Sequence, residues 1–199
     1  NKMFADLLLE LRSENARDVF EALLEKGKNG GDTGQQMGLL LEAWGKIDGA
    51  AALMAVGEMD GDGRRRGFAS IAAMKGWAST DPEAAKAHLE GLENGFEKSM
   101  LVQGMVSGLA STDPSAATAY VLAIDAEQRA SGEEGGRDDR WRGFAVDRQM
   151  EAIANAQMQR GMKEATAWAE SLPDGSIKSA AFDRVAEGFA RNSPEEAAE

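Results

Sequence analysis

His88 is the single histidine of the chain, and the only side chain whose ordinary titration range suits acid–base chemistry near neutral pH. A catalytic role would require a carboxylate to orient it and a nucleophile or metal beside it, and no such spacing accompanies it. Cysteine is absent, which removes thiolate nucleophiles, disulfides and cysteine metal sites. The stretch Asp60-Gly61-Asp62-Gly63 opens like a calcium loop. Arg64, however, stands where another oxygen ligand belongs and the twelfth position is Ile71 instead of Glu, so the stretch reads as a turn. The glycines between Gly27 and Gly34 miss the phosphate-loop pattern, which needs Lys and then Ser or Thr directly after its second Gly. No catalytic, cofactor-binding or metal site is expected, and the chain is read as non-enzymatic. An enzyme or small-ligand binder would have to use His88.

Two basic clusters remain, on a chain whose 22 basic and 34 acidic residues leave a net charge of −12. One is Arg64-Arg65-Arg66; the other comprises Arg137, Arg140 and Arg142, with Trp141 among them. Each cluster either meets an acidic partner or is solvated at a helix start beside Asp60, Asp62, Asp138 and Asp139. Trp141 is either an exposed aromatic anchor or a residue packed over its own loop. These residues form the candidate partner-binding set. The net charge repels phosphate backbones and anionic membrane surfaces, so nucleic acid is not an expected partner. No apolar run reaches the length of a bilayer span, and Leu7-Leu8-Leu9 is stopped by Glu10, so direct membrane insertion is not expected.

The elements that must position these residues are written as a repeat. Gly76-Trp77-Ala78-Ser79-Thr80-Asp81-Pro82-Glu83-Ala84-Ala85 returns as Gly108-Leu109-Ala110-Ser111-Thr112-Asp113-Pro114-Ser115-Ala116-Ala117, and again from Gly188 to Ala197. With Asp81 as reference, equivalent positions fall at Asn15, Asp48, Asp81, Asp113, Gly161 and Ser193, at intervals of 33, 33, 32, 48 and 32 residues. The long interval carries an insertion, expected as an exposed loop or extended helix end near 127–140.

Each unit reads as two helices. Asp81 is placed to cap the first and Pro82 to occupy its first helical position, where a missing N–H costs nothing. First helices are expected near 15–26, 48–57, 82–92, 113–125 and 161–172. Second helices are expected near 34–46, 65–79, 96–110, 141–158 and 176–191, after an opening helix near 2–11. Asn94-Gly95 and Pro173-Asp174-Gly175 are expected to close first helices through left-handed backbone. Ala72 and Gly76, and likewise Gly104 and Gly108, lie four apart on one helix face, which predicts close approach of a neighbouring helix. Trp44, Trp77, Leu109 and Phe189 share one repeat position, interrupted by Gln157, and read as a core column. His88, Tyr120 and Trp168 share another, which makes His88 one member of an aromatic packing column. Most of the ten methionines fall at apolar helical positions and read as core filling.

The paired helices, small residues at crossings and period of 32 or 33 resemble tetratricopeptide-like and HEAT-like α-solenoids. More narrowly, Trp77-Ala78-x-x-Asp81-Pro82-x-Ala84-Ala85 and Ala165-x-Ala167-Trp168-x-x-x-Leu172-Pro173 are similar to the W-A-x-x-D-P-x-A-A repeats of long bacterial proteins. The Trp, Leu-Gly and Tyr series of the tetratricopeptide first helix is not reproduced, so that family's peptide-binding positions do not carry over. The resemblance implies interaction or scaffolding.

The expectation is therefore an all-α superhelix, or solenoid, of about five helix-hairpin repeats forming a single domain over 1–199. Asn1 and the mid-motif Glu199 both read as cuts in a longer repeat protein. The expected function is a protein-interaction or scaffolding module without cofactors, whose partner is a protein or peptide. The alternative is a structural segment of a larger envelope or surface protein, which would place the chain outside the cytoplasm.

Overall fold

Three aspartates start three helices in the same way. Asp48 Oδ1 accepts from the Ala51 N–H at 3.0 Å, Asp81 Oδ1 from the Ala84 N–H at 3.0 Å, and Asp113 Oδ1 from the Ser115 and Ala116 N–H groups at 2.9 and 3.1 Å. Each carboxylate satisfies backbone donors that the first helical turn leaves free. Pro82 and Pro114 follow as the first helical residues, as their spacing predicts.

The structure is a computed structural model that describes residues 2–60, 63–130 and 139–192, with backbone alone at 128, 139–145 and 192. Among the described residues the chain is entirely helical, without a strand. The helices are α1 (Lys2–Leu9), α2 (Ser13–Lys28), α3 (Gly34–Ile47), α4 (Gly49–Gly57), α5 (Gly63–Thr80), α6 (Pro82–Glu90), α7 (Phe96–Thr112), α8 (Pro114–Ala130), α9 (Asp139–Arg160), α10 (Met162–Ser171) and α11 (Ser176–Asn192). They form two compact units, Asn1–Leu109 and Ala110–Glu199.

In the first unit the glycines decide how the second helices of successive pairs meet. A Cβ on Gly76 would overlap the Glu42 carbonyl oxygen, and one on Gly45 would overlap the Ala73 carbonyl oxygen, so α3 and α5 touch backbone to backbone. The same contact recurs between α5 and α7. A Cβ on Gly108 would lie 2.5 Å from the Lys75 carbonyl oxygen, and one on Gly104 would lie 2.7 Å from that of Ile71. Glu42 and Lys75 occupy equivalent repeat positions, and their side chains pair at 2.9 Å beside the crossing. Around this spine Phe20, Leu40, Leu41, Trp44, Ala52, Ala55, Val56 and Ala73 form one buried cluster. The Phe20 and Trp44 rings meet edge-on with centroids 5.9 Å apart. Trp44 is 3% exposed, whereas Trp77 is only half buried; its ring lies over Gly49, where a Cβ would overlap it.

The second unit packs α9, α10 and α11 against one another, with α8 on α9. Met150, Ile153, Ala154, Ala165, Ala169 and Ala181 are fully buried there. The Trp168 indole N–H donates to Thr118 Oγ1 at 2.9 Å, tying α10 to α8. Gln157, which interrupts the column of large apolar residues, is nevertheless only 7% exposed.

Two expectations change. The first full helix begins at Ser13, and Asn15 lies inside it, accepting from the Arg12 N–H at 2.8 Å; an arginine at the cap has no acceptor to offer. The α6 helix ends at Glu90, and Gly91 closes it at φ −75°, so left-handed backbone at Asn94-Gly95 is not used. Gly175 does adopt positive φ, at 144°. At the insertion expected near 127–140, α8 continues through Ala130 and α9 begins at Asp139. Residues 131–138 and the repeat start at Ser193 lie outside the described residues.

Gly76→Ala is expected to destabilise the protein by about 1–3 kcal/mol despite the roughly 1 kcal/mol of helix propensity that alanine gains, because the obstructing atom is backbone and cannot rotate away. Asp81→Ala should cost about 1 kcal/mol through loss of the cap. Urea unfolding followed by tryptophan fluorescence measures both.

Candidate functional site

The ends of three helices in the first unit meet around a cavity of about 330 Å³. Its position follows from how α2 stops. Gly30 takes φ +84°, the Gly30 N–H donates to the Gly27 carbonyl at 3.1 Å, and the Gly31 N–H reaches back to that of Lys26 at 3.0 Å. This is the double bond pattern of a left-handed helix stop, and it returns the chain sharply into α3.

Each helix lends one face at helical spacing. Leu24 and Gly27 come from α2, Gly34, Met37 and Gly38 from α3, and Arg65, Phe68 and Ala69 from α5; Thr33 and Met59 complete the wall. Met37, Met59 and Ala69 are buried and make an apolar floor. Phe68, by contrast, is 56% exposed at the rim, beside the exposed Arg65. The volume lies at the low end of the range of about 300–1,000 Å³ found for ligand pockets.

Gly34 and Gly38 are four apart on α3, the same spacing as Gly104 and Gly108 on α7. On α7 those positions are filled by the backbone of α5. Among the described residues, a Cβ on Gly38 would by contrast meet nothing within 4 Å, and one on Gly34 only Asp32 Oδ1 at 3.8 Å. Gly38 therefore carries the helix-propensity penalty of glycine without an internal packing reason.

The polar side chains nearby are mutually engaged. Lys26 Nζ donates to Gln36 Oε1 at 3.3 Å, Lys28 pairs with Asp60 at 3.3 Å, and Asp32 Oδ1 accepts from the Gly34 N–H at 3.3 Å. On the outer side of α2, Arg17 bonds Glu58 and Glu21. Those hydrogen bonds, Glu58 first, raise the Arg17 pKa above its already high usual value, so it remains charged.

Of the candidate residues, Arg64, Arg65 and Arg66 all lie exposed in the first turn of α5, and Arg65 lines the groove. Arg137 lies outside the described residues, and Arg140, Trp141 and Arg142 are placed by backbone alone in α9, so the structure brings nothing to their side chains. His88 is outside the groove lining. It is half buried, with its ring 5.4 Å from that of Trp77 and inclined at 48°. Among the described residues no group of three or more His, Asp or Glu side chains is arranged to hold a metal ion, and no helix is long and apolar enough to cross a membrane.

The groove itself escapes the repeat pattern, because its members come from three helices of two successive pairs. The available signal was the four-residue glycine spacing at Gly34 and Gly38, which sits beside a loop already rich in glycine. No family model, curated protein or solved structure matches the chain.

Gly38→Ala should raise stability by about 0.5–1 kcal/mol, the opposite sign to Gly76→Ala, since the added methyl meets no neighbour. Urea midpoints of the two variants, measured side by side, check the contrast.

Proposed function

We propose that the chain is a non-enzymatic protein-interaction module, built as an α-solenoid of the tetratricopeptide-like and HEAT-like kind, and that a protein partner docks in the groove between α2, α3 and α5. The observation that carries this reading is Gly38. A helical glycine that costs stability, whose added Cβ would meet nothing among the described residues, and that opens onto an apolar cavity fits a surface shaped for close approach from outside. Phe68 supports it, since a large aromatic at a cavity rim is the residue type that anchors interfaces. The repeat supports the solenoid, since each helix pair has a face to bury on the next. The arginines and Trp141 of the second basic cluster enter the same proposal as a further contact surface, argued from their sequence positions alone.

The test places a photo-crosslinking benzoylphenylalanine at Phe68 in the full-length protein in its own cell, and separately at Phe182, a 38% exposed position in the second unit. Discrete protein adducts from position 68, weakened by Gly38→Leu, are expected. No adduct, or the same adducts from both positions, would overturn the groove as the docking surface and favour the structural-segment alternative.

A further inference from the structure

We infer that Phe68 is a gate built into the groove: its ring leaves the rim and lies over Gly34 and Gly38, so that the open groove is one of two states set by a single side chain. The inference rests on the docking reading only for its consequence, that ring and partner compete for one space; the closure itself belongs to the chain alone. The next joint of the same unit carries it. Gly67 follows Gly34 by 33 residues and Met100 follows Phe68 by 32, the intervals at which the repeat returns, so α5 and α7 present the positions that α3 and α5 present at the groove. At that joint the space is closed. A Cβ on Gly67 would lie 2.9 Å from Met100 Cε, 3.7 Å from its Cγ and 3.9 Å from Phe96 Cε1, and Gly67 is buried. At the groove Gly34 is exposed, no atom of α5 comes within 4 Å of a Cβ placed on Gly34 or Gly38, and Phe68 stands 56% exposed.

The residues that differ between the two joints differ in compensating size. Ile71 stands in α5 where α3 has Gly38, and Met100 stands in α7 where α5 has Phe68. A ring is wider than a thioether chain, and Gly38 gives up the side chain whose room the ring needs. The space suffices, since a cavity of roughly 150 Å³ holds a benzene ring and the groove offers about 330 Å³. Its floor of Met37, Met59 and Ala69 is buried and apolar, so a seated ring withdraws apolar surface from water and meets thioether groups. The movement is a change of χ1 alone. Two staggered wells are open to a long side chain on a helix, and Met100 shows that this repeat position can direct its side chain over the preceding helix. The groove therefore covers its own floor until a partner with an apolar anchor takes the place of the ring.

The experiment is NMR on the full chain without a partner. A nuclear Overhauser cross-peak is expected between the Phe68 ring protons and the α-protons of Gly38, matching the one that the Met100 methyl gives to the α-protons of Gly67. A para-fluorinated phenylalanine at position 68 then reports how far a dissolved neutral nitroxide reaches the ring. Gly38→Leu fills the seat and is expected to raise the nitroxide relaxation of the fluorine at least about twofold, because the ring is driven out to the rim. A ring that always stands at the rim would instead be shielded by the added leucine or left unchanged. Circular dichroism checks that Gly38→Leu is folded; the cross-peak needs no variant and decides alone if it is not. An absent cross-peak, or relaxation unchanged or lowered by Gly38→Leu, overturns the gate and leaves the docking reading to its own crosslinks. Loss of those crosslinks with the cross-peak intact overturns docking and leaves the gate.

Discussion

Backbone contact through glycine is the constraint on which the first unit depends. At the α3–α5 and α5–α7 crossings the facing side chain is hydrogen, so the helices approach until carbonyl oxygens occupy the space a Cβ would need. Everything else in that unit is arranged around the separation this sets. Trp44 fits edge-on against Phe20 beside the spine, and Trp77 lies over Gly49 where the next pair begins. The glycine penalty in each helix is offset by dispersion contacts that only close approach permits.

That constraint explains which parts of the structure were legible in the sequence. Helix starts were, because Asp48, Asp81 and Asp113 cap by a purely local bond, and so were the crossings, because Ala72, Gly76, Gly104 and Gly108 repeat at fixed spacing. Other helix boundaries were less so: Gly91 closes α6 in ordinary right-handed backbone, and at the start of α2 Asn15 supports its helix from inside. A degraded cap looks like an intact one when only residue type is read. The groove was not legible, since Leu24, Met37 and Phe68 belong to three helices and each obeys its own periodicity. Only the fold shows that their faces leave a space between them. Arg65 was singled out by charge, and the structure adds its neighbours Phe68 and Ala69.

Gly38 and Gly76 show how one residue type serves two ends. Both sit within helices and both forgo the stability an alanine would give, but Gly76 recovers it through α3 whereas Gly38 has no such contact among the described residues. Above the buried apolar floor beside Gly38, Phe68 stands more than half exposed at the rim of the cavity. His88 is half buried with its ring 5.4 Å from that of Trp77, at a repeat position occupied elsewhere by Tyr120 and Trp168.

The contact between Gly76 and Glu42 has one more consequence. The atom that receives the glycine is a main-chain oxygen, and every amino acid supplies one. The packing is therefore blind to what side chain that residue bears, and the equivalent positions hold Glu42, Lys75 and Ser107, an anion, a cation and a neutral group. The Glu42–Lys75 pair is an addition to the joint and not its condition. Mutation can rewrite the electrostatic pattern along this ridge one repeat at a time while the interlocking of the helices stays unchanged, so geometry and surface charge are inherited separately.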